Sequence, residues 1–411
     1  ALPHRAVFRA AAQAEAGRVN ILYVASAIAL PGTSGGATHV REVAEGLARR
    51  GHRVHVVARR GQGGAADLGP GIESTLLPWP DKLALLGYPA VAGVARRFRP
   101  DVVMERYYNF AGAGVLLAHR RGLPALLEVN APMVDPPGSH KETLDRLLGR
   151  PLRRWAVRQA RWSRRIVTPL ASTVPPPVPR ERIEQVNWGA NVDRFRPGLR
   201  EECAAELAAL RRAWGIPEGG TVAAFAGSFR AWHGVQSFVR AALQLIPDHP
   251  DLYFLAVGGG PELAPVQALA GESGQAAARR IIFTGAQPHE RMPLLLALAD
   301  IGVAPFVPAA YPPLRAFGFY WSPLKVFEYM AMGQPVVTPA IPPLDGIIRA
   351  GQEGLLYPEG DEAALAQAIG ALAADPAARG AMGARARERV VACYSWDAHC
   401  AQLEQALEAI R

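Results

Sequence analysis

The chain has 411 residues, half of them hydrophobic, and carries 45 Lys and Arg against 36 Asp and Glu, a formal charge of +9. That length exceeds one ordinary core and predicts two domains, and the apolar share excludes a disordered tail protein. The excess charge points to phosphates, anionic lipid or nucleic acid without choosing among them. It is unevenly placed: residues 1–197 hold 29 basic and 15 acidic side chains, a net +14, whereas residues 198–411 hold 16 and 21, a net −5.

Short apolar runs at Ile21–Ala25, Val54–Ala58, Val102–Met104, Ala125–Val129 and Arg165–Thr168 alternate with helical periodicity such as Thr38–Arg50. The second half repeats the pattern with Val222–Ala226, Leu252–Val257, Ile281–Thr284, Ile301–Ala304, Pro335–Thr338 and Gly354–Tyr357. Strands alternating with helices predict an α/β protein with two parallel, doubly wound sheets and a cleft between them. The VPPPVP run at Val174–Pro179 and Phe195-Arg196-Pro197 put the linker near 195–200, so the domains are expected at 1–197 and from 198 onward.

Three cysteines (Cys203, Cys393, Cys400), unclustered and odd in number, argue against a disulfide framework and a zinc site. No uncharged apolar run reaches the roughly 18 residues of a spanning helix. The first 18 residues, interrupted by Arg5, Arg9 and Glu15, lack the apolar centre of a signal peptide. The expectation is a cytoplasmic protein, soluble or peripheral on the inner face of the membrane.

In open α/β sheets ligands bind beyond the carboxyl ends of strands, which directs attention to four glycine-bearing segments. Pro31–Thr38 contains Gly35 and Gly36 between a strand and a helix, where bare backbone and a helix N-terminus accommodate an anion. A plain turn is the alternative reading, and the spacing fits neither a dinucleotide fingerprint nor a P-loop. Ala226–Gly234 reads AGSFRAWHG: Gly227 permits close approach to a phosphate, with Arg230 or His233 supplying charge. Gly258-Gly259-Gly260 follows the next strand. Ser322–Val337, SPLKVFEYMAMGQPVV, predicts a helix from Ser322 to Met332 stopped by Gly333. Its N-terminus presents the amides of Leu324 and Lys325 and the Lys325 ammonium to an anion, and Glu328 lies one turn further on, placed to accept from sugar hydroxyls.

These segments, together with RIVTPLAS at 165–172, GANVDRFRP at 189–197, FTGAQPHERMP at 283–293, ADIGVAPF at 299–306 and YSWD at 394–397, make the chain resemble a GT-B-fold retaining glycosyltransferase of family 4, of a GSFxxWHG/SPLK subgroup. The resemblance implies an acceptor-binding N-terminal domain (1–197), a C-terminal domain binding a nucleoside diphosphate sugar (198–393), and a last helix crossing back at 394–411. It places Glu328 on the donor ribose, Ser322, Leu324 and Lys325 on the diphosphate, Gly285 and the residues to 293 along the base, and Gly35 and Gly36 over sugar and phosphate. Gly227, Ser228, His233 and Gly259 complete the expected donor site.

The chain also departs from the family. The family's first glutamate, separated from the second by seven intervening residues, falls on Tyr320, and its Arg and Lys after the second-domain strand fall on Ser228 and His233. Arg230, His233 and Lys325 are then expected to neutralise the diphosphate. Where many relatives place a histidine after Ala125–Val129, this chain has Leu127-Glu128-Val129-Asn130, making Asn130 an orienting amide and Glu128 a base only if it faces the cleft. Structural pairing of Glu128 with a neighbouring arginine is the competing reading.

The implied reaction is hexose transfer with retention, from a UDP- or GDP-linked donor to a glycan, lipid-linked or small-molecule acceptor, in envelope polysaccharide, glycolipid or secondary-metabolite glycoside synthesis. Positioned amides and cations stabilise the leaving group, and with no DxD motif the reaction is expected to need no metal and no further cofactor. The alternatives are a nucleotide-sugar epimerase or hydrolase on the same scaffold and, more remotely, a nucleic-acid-binding protein, for which no recognition motif is present. Residues 146–165 hold eight arginines and no acid, among Leu148, Leu152, Trp155 and Trp162, with Pro151 fitting the first turn of a second helix. This basic amphipathic segment is expected either to rest on an anionic membrane surface with its Trp and Leu embedded, or to pack on the N-terminal sheet with a solvated arginine face.

Overall fold

The computed structural model describes residues 18–32 and 34–411. Residues 1–17, the stretch read against a signal peptide, and Thr33 of the first glycine-bearing loop lie outside the described residues. The chain divides into two compact units, one running to Trp188 and resuming at His399–Arg411, the other Gly189–Ala398.

The first unit holds a sheet of seven strands: β1 (Asn20–Leu30), β2 (Arg53–Arg60), β3 (Glu73–Leu77), β4 (Val102–Arg106), β5 (Ala125–Glu128), β6 (Arg165–Thr168) and β7 (Ile183–Gln185). They are parallel and ordered β3-β2-β1-β4-β5-β6-β7. Ile21, Leu22, Tyr23 and Val24 are fully buried, as a strand covered on both faces requires. The following helix, Gly35–Arg49, starts three residues before the periodic run at Thr38 because the Ser34 hydroxyl accepts the Ala37 N–H at 3.2 Å and caps it. The edge strands β3 and β7 are short and only partly buried, so they leave little hydrophobic pattern to read.

The second unit holds six parallel strands: β8 (Thr221–Ala226), β9 (Leu252–Val257), β10 (Ile281–Gly285), β11 (Ile301–Val303), β12 (Val336–Pro339) and β13 (Gly354–Tyr357), ordered β10-β9-β8-β11-β12-β13. Phe225, Phe229, Phe238 and Phe254 meet at ring separations of 5.6 to 5.8 Å and weld β8 and β9 to the helix Val235–Leu245. Both sheets reverse strand order, at β1/β4 and at β8/β11, and such switch points open crevices where ligands bind.

The division falls after Trp188 and not near 195–200. The residues just past it are tied into the second unit: the Ala190 N–H donates to the Tyr394 carbonyl at 2.8 Å, the Arg387 guanidinium donates to the carbonyls of Val192 and Phe195, and Phe195 is buried. The proline run Val174–Pro179 is a segment of the first unit that leads into β7, so proline content marked a loop within that unit and not a linker. The final helix spans Trp396–Glu408, and from His399 onward it belongs to the first unit.

Candidate active site

At the β8/β11 switch point of the second unit lies a cavity of about 550 Å³. Gly227, Ser228, His233, Gly259, Ser322, Leu324, Lys325 and Glu328, expected together from the sequence, all line it. Two backbone features shape its floor. Gly227 has φ +140°, and a Cβ there would lie 2.9 Å from the Lys325 Nζ; Gly258 has φ +146°, and a Cβ there would strike the Gly227 carbonyl. Only glycine satisfies both demands. Gly227→Ala is expected to displace the Lys325 amine and weaken nucleotide binding at least about tenfold with the fold intact. Calorimetric titration checks this, and unchanged affinity would exclude the close approach.

The helix Leu324–Ala331 begins after Pro323 with no side-chain cap. The Leu324 N–H is taken by the Ser322 carbonyl at 2.9 Å, so of the two amides expected to face an anion Lys325 supplies the open one. The Lys325 Nζ is enclosed, has no hydrogen-bond partner, and sits 4.2 Å from the Phe225 ring centre and 5.0 Å from that of Phe306. Burial lowers its pKa to about 7, against the pull of Glu328. Burial likewise raises Glu328 to about 7, opposed by Lys325 and Arg194. Both residues are half-buried and line the cavity. His233 Nδ1 donates to the Ser228 carbonyl at 2.8 Å, and burial with the adjacent Lys325 pushes its pKa down to about 3, so the ring is neutral.

Arg230 is exposed, its guanidinium 5.3 Å from the Trp232 ring, and it does not line the cavity; Gly285 ends β10 beside the lining residue Ala286 without lining it. A wall of Phe306, Phe319 and Trp321 lines the cavity with these polar groups, extended by Tyr311 stacked on Trp321 at 5.6 Å and by Trp232 tilted against Tyr311 at 4.5 Å. The sequence reading missed it, although the aromatic density of Tyr311–Trp321 was its trace. Tyr320, where the first family glutamate counts, is buried among these rings. Among the described residues no cluster of three His, Cys, Asp or Glu is arranged to hold a metal ion.

The remaining expected residues belong to the first unit. Gly35 and Gly36 open the helix Gly35–Arg49. Glu128, at the end of β5, is buried, and both oxygens are occupied: Oε2 accepts from the Tyr23 hydroxyl at 2.9 Å, and Oε1 from Arg106 at 3.0 Å and Asn130 at 2.5 Å, with His39 Nε2 3.0 Å from Oε1. Arg106 also donates to His39 Nδ1 at 3.0 Å, and a guanidinium only donates, so His39 carries its proton on Nε2 and is neutral. Burial lowers the His39 pKa in agreement. The expectation of Glu128 as a base is therefore replaced by a buried structural carboxylate. Asn130 is held at both ends of its amide, donating to Glu128 and accepting from Trp188 Nε1 at 2.5 Å.

Residues 33–194 match the family described as Glycosyltransferase Family 4, and residues 220–375 that described as Glycosyl transferases group 1. The D-inositol 3-phosphate glycosyltransferase of Corynebacterium urealyticum is 32% identical over 231 residues, 54% of this chain and 50% of that protein. The alpha-D-kanosaminyltransferase of Streptomyces kanamyceticus is 24% identical over 320 residues, 75% of this chain and 78% of that one. The chain spans about half the length of the D-inositol 3-phosphate glycosyltransferases it matches. Among solved structures, a glycosyltransferase from Rickettsia africae superposes with TM-score 0.70 at 16% identity, over 95% of this chain and 98% of that one. Anabaena HepE in complex with UDP-glucose does so with TM-score 0.66 at 16% identity, over 95% and 99%. Both share the fold.

Proposed function

Because the chain belongs to the GT-B glycosyltransferases of the family 4, group 1 type, we propose that it moves a hexose-type sugar from a nucleoside diphosphate sugar to an acceptor hydroxyl with retention of anomeric configuration. The observation that carries this is the Lys325 amine, enclosed without a partner beside Gly227 in the second unit's cavity. A diphosphate supplies what that amine lacks. The Lys325 ammonium and amide then stabilise charge on the departing diphosphate, Glu328 accepts from the ribose hydroxyls, and the hydroxyl nucleophile attacks on the face the nucleotide leaves. The first unit holds the acceptor in this reading, and UDP or GDP is the expected nucleotide. That Anabaena HepE was solved with UDP-glucose supports the donor class.

Thermal shift with UDP, GDP, ADP, CMP and dTDP tests the reading: one nucleotide at about 100 times its Kd adds roughly 2.7 kcal/mol of stability. Silence from all of them would defeat it. Transfer after EDTA treatment is expected to proceed unchanged, and activity restored only by Mn²⁺ would contradict the metal-free mechanism. Donor turnover without acceptor would instead favour an epimerase or hydrolase.

The basic segment supports a membrane-facing role through leucines, Leu148 among them, and not through the tryptophans that were also expected to embed. Trp155 donates its Nε1–H to the Ala111 carbonyl at 2.8 Å and Trp162 stacks on His119 at 4.4 Å, so neither ring is free to embed. Leu144, Leu147 and Leu148 are instead 50%, 79% and 68% exposed, beside exposed Arg146, Arg150 and Arg154. We place the inner-membrane contact there. Flotation with anionic vesicles is expected for the native chain and lost in L147S/L148S; equal failure on anionic and neutral vesicles removes the contact. Among the described residues no helix is long and apolar enough to cross a membrane.

A further inference from the structure

A second cavity, of about 610 Å³, opens in the first unit beyond the carboxyl ends of β1 and β2. The Gly61 N–H donates to the Leu30 carbonyl at 2.8 Å, and a side chain on Gly61 would strike the Pro31 carbonyl, so the two loops meet backbone to backbone. Its charged residues are Arg59, Arg60 and Asp67. Asp67 is already neutralised, 3.2 Å from Arg41, which also donates to the Gly32 carbonyl at 3.2 Å. Among the described ion pairs Arg59 and Arg60 have none, and the Arg59 Nε is enclosed with no hydrogen-bond acceptor.

A guanidinium N–H removed from water and left unbonded is costly, and it is retained where a ligand completes it. Two unpaired guanidinium groups at one cavity match a dianion, and their planar forks suit phosphate oxygens. None of these residues serves the nucleotide cavity of the second unit. We propose that this cavity is a phosphate subsite, seating a phosphate monoester carried by the acceptor. Calling the ligand an acceptor rests on the glycosyl-transfer reading, whereas the phosphate site itself does not.

Titration of the full chain with glycerol 3-phosphate, followed by calorimetry in chloride buffer, tests the site. Millimolar binding is expected, weakened at least about tenfold in R59Q/R60Q. Arg60 is exposed, so R60Q alone does not threaten the fold and is expected to weaken binding about threefold or more. The nucleotide-induced thermal shift is expected to stay unchanged in both variants. No binding of glycerol 3-phosphate up to about 50 mM together with no arginine-dependent binding of phosphatidate vesicles, or equal binding by native chain and R60Q, overturns the site. Vesicles containing phosphatidate form the second arm: arginine-dependent binding there but not of glycerol 3-phosphate identifies the monoester as a lipid headgroup. Phosphate binding in a chain that answers no nucleotide would keep the subsite and sink the donor reading; a nucleotide response without phosphate binding would do the reverse.

Discussion

Lys325→Met is expected to weaken nucleoside diphosphate binding about 10- to 100-fold while raising the melting temperature of the free protein. The first effect follows from losing a charge-assisted hydrogen bond to phosphate, a contribution of about 1.5–3 kcal/mol. The second follows because the amine is enclosed between Phe225 and Phe306 with nothing to bond. Methionine fills the same volume without an unmet donor, which restores about 1–2 kcal/mol. The pH dependence has a definite sign. Burial lowers the free amine to about pH 7, so above that pH the unliganded site is increasingly neutral. Diphosphate favours the charged form, so binding takes up a proton and affinity falls as pH rises above about 7. Glu328, raised to about 7, is increasingly protonated below that pH, where the carboxylate needed by the ribose hydroxyls is lost. Nucleotide affinity therefore peaks near neutrality, and Lys325→Met is expected to abolish its alkaline limb. A variant that binds nucleotide like the native chain would remove Lys325 from the site.

Glu128→Ala is expected to destabilise the first unit by about 3–5 kcal/mol, because it leaves the Arg106 guanidinium, 10% exposed, without its buried counter-charge. A fall in melting temperature of about 10 °C follows for a unit of this size. Burial pushes the Glu128 carboxyl up, but His39, Arg106 and the Asn130 amide together hold it well below the usual carboxylate range. Its folded pKa is thus depressed, and the stability it contributes is present above the unfolded value of about 4.5 and is lost as pH falls below it. His39, lowered from 6.5 by burial, loses stability over an earlier window, as pH drops through 6.5 and the unfolded ring takes up a proton. The first unit should therefore weaken towards acid in two stages. Were Glu128 a catalytic base, its removal would lower kcat with melting unchanged; circular dichroism melts beside initial rates separate the two.

The strands were legible because parallel strands buried on both faces are written as continuous apolar runs, such as Ile21–Ala25 and Leu252–Val257. The nucleotide cavity was legible in pieces, since Gly227, Gly259 and the Ser322–Glu328 segment sit at strand or helix ends, where local pattern and location coincide. The cluster around Glu128 was not. It gathers Tyr23, His39, Arg106, Asn130 and Trp188, residues from five separated segments with no shared spacing. Single-sequence reasoning could propose that an arginine pairs with Glu128, but not that Arg106 does so while fixing the tautomer of a buried histidine. The break before Pro151 shows the same limit on a smaller scale. Gly149 and Arg150 both adopt positive φ, and the Asp145 carboxylate, one helix earlier, accepts the N–H groups of Leu152 and Arg153 at 2.8 and 3.2 Å.

Residues His399–Arg411 belong to the unit that holds β1 to β7. Cys400, Leu403, Leu407 and Ile410 are buried, Glu404 bonds Arg50 at 2.6 Å and His52 at 2.9 Å, and Gly46 has no room for a side chain against Cys400. During synthesis the sheet of the first unit emerges early but waits, with this apolar face uncovered, until the ribosome has made the whole of the second. The half translated first is thus the half completed last, and its exposed seam is where a nascent chain would most need a chaperone.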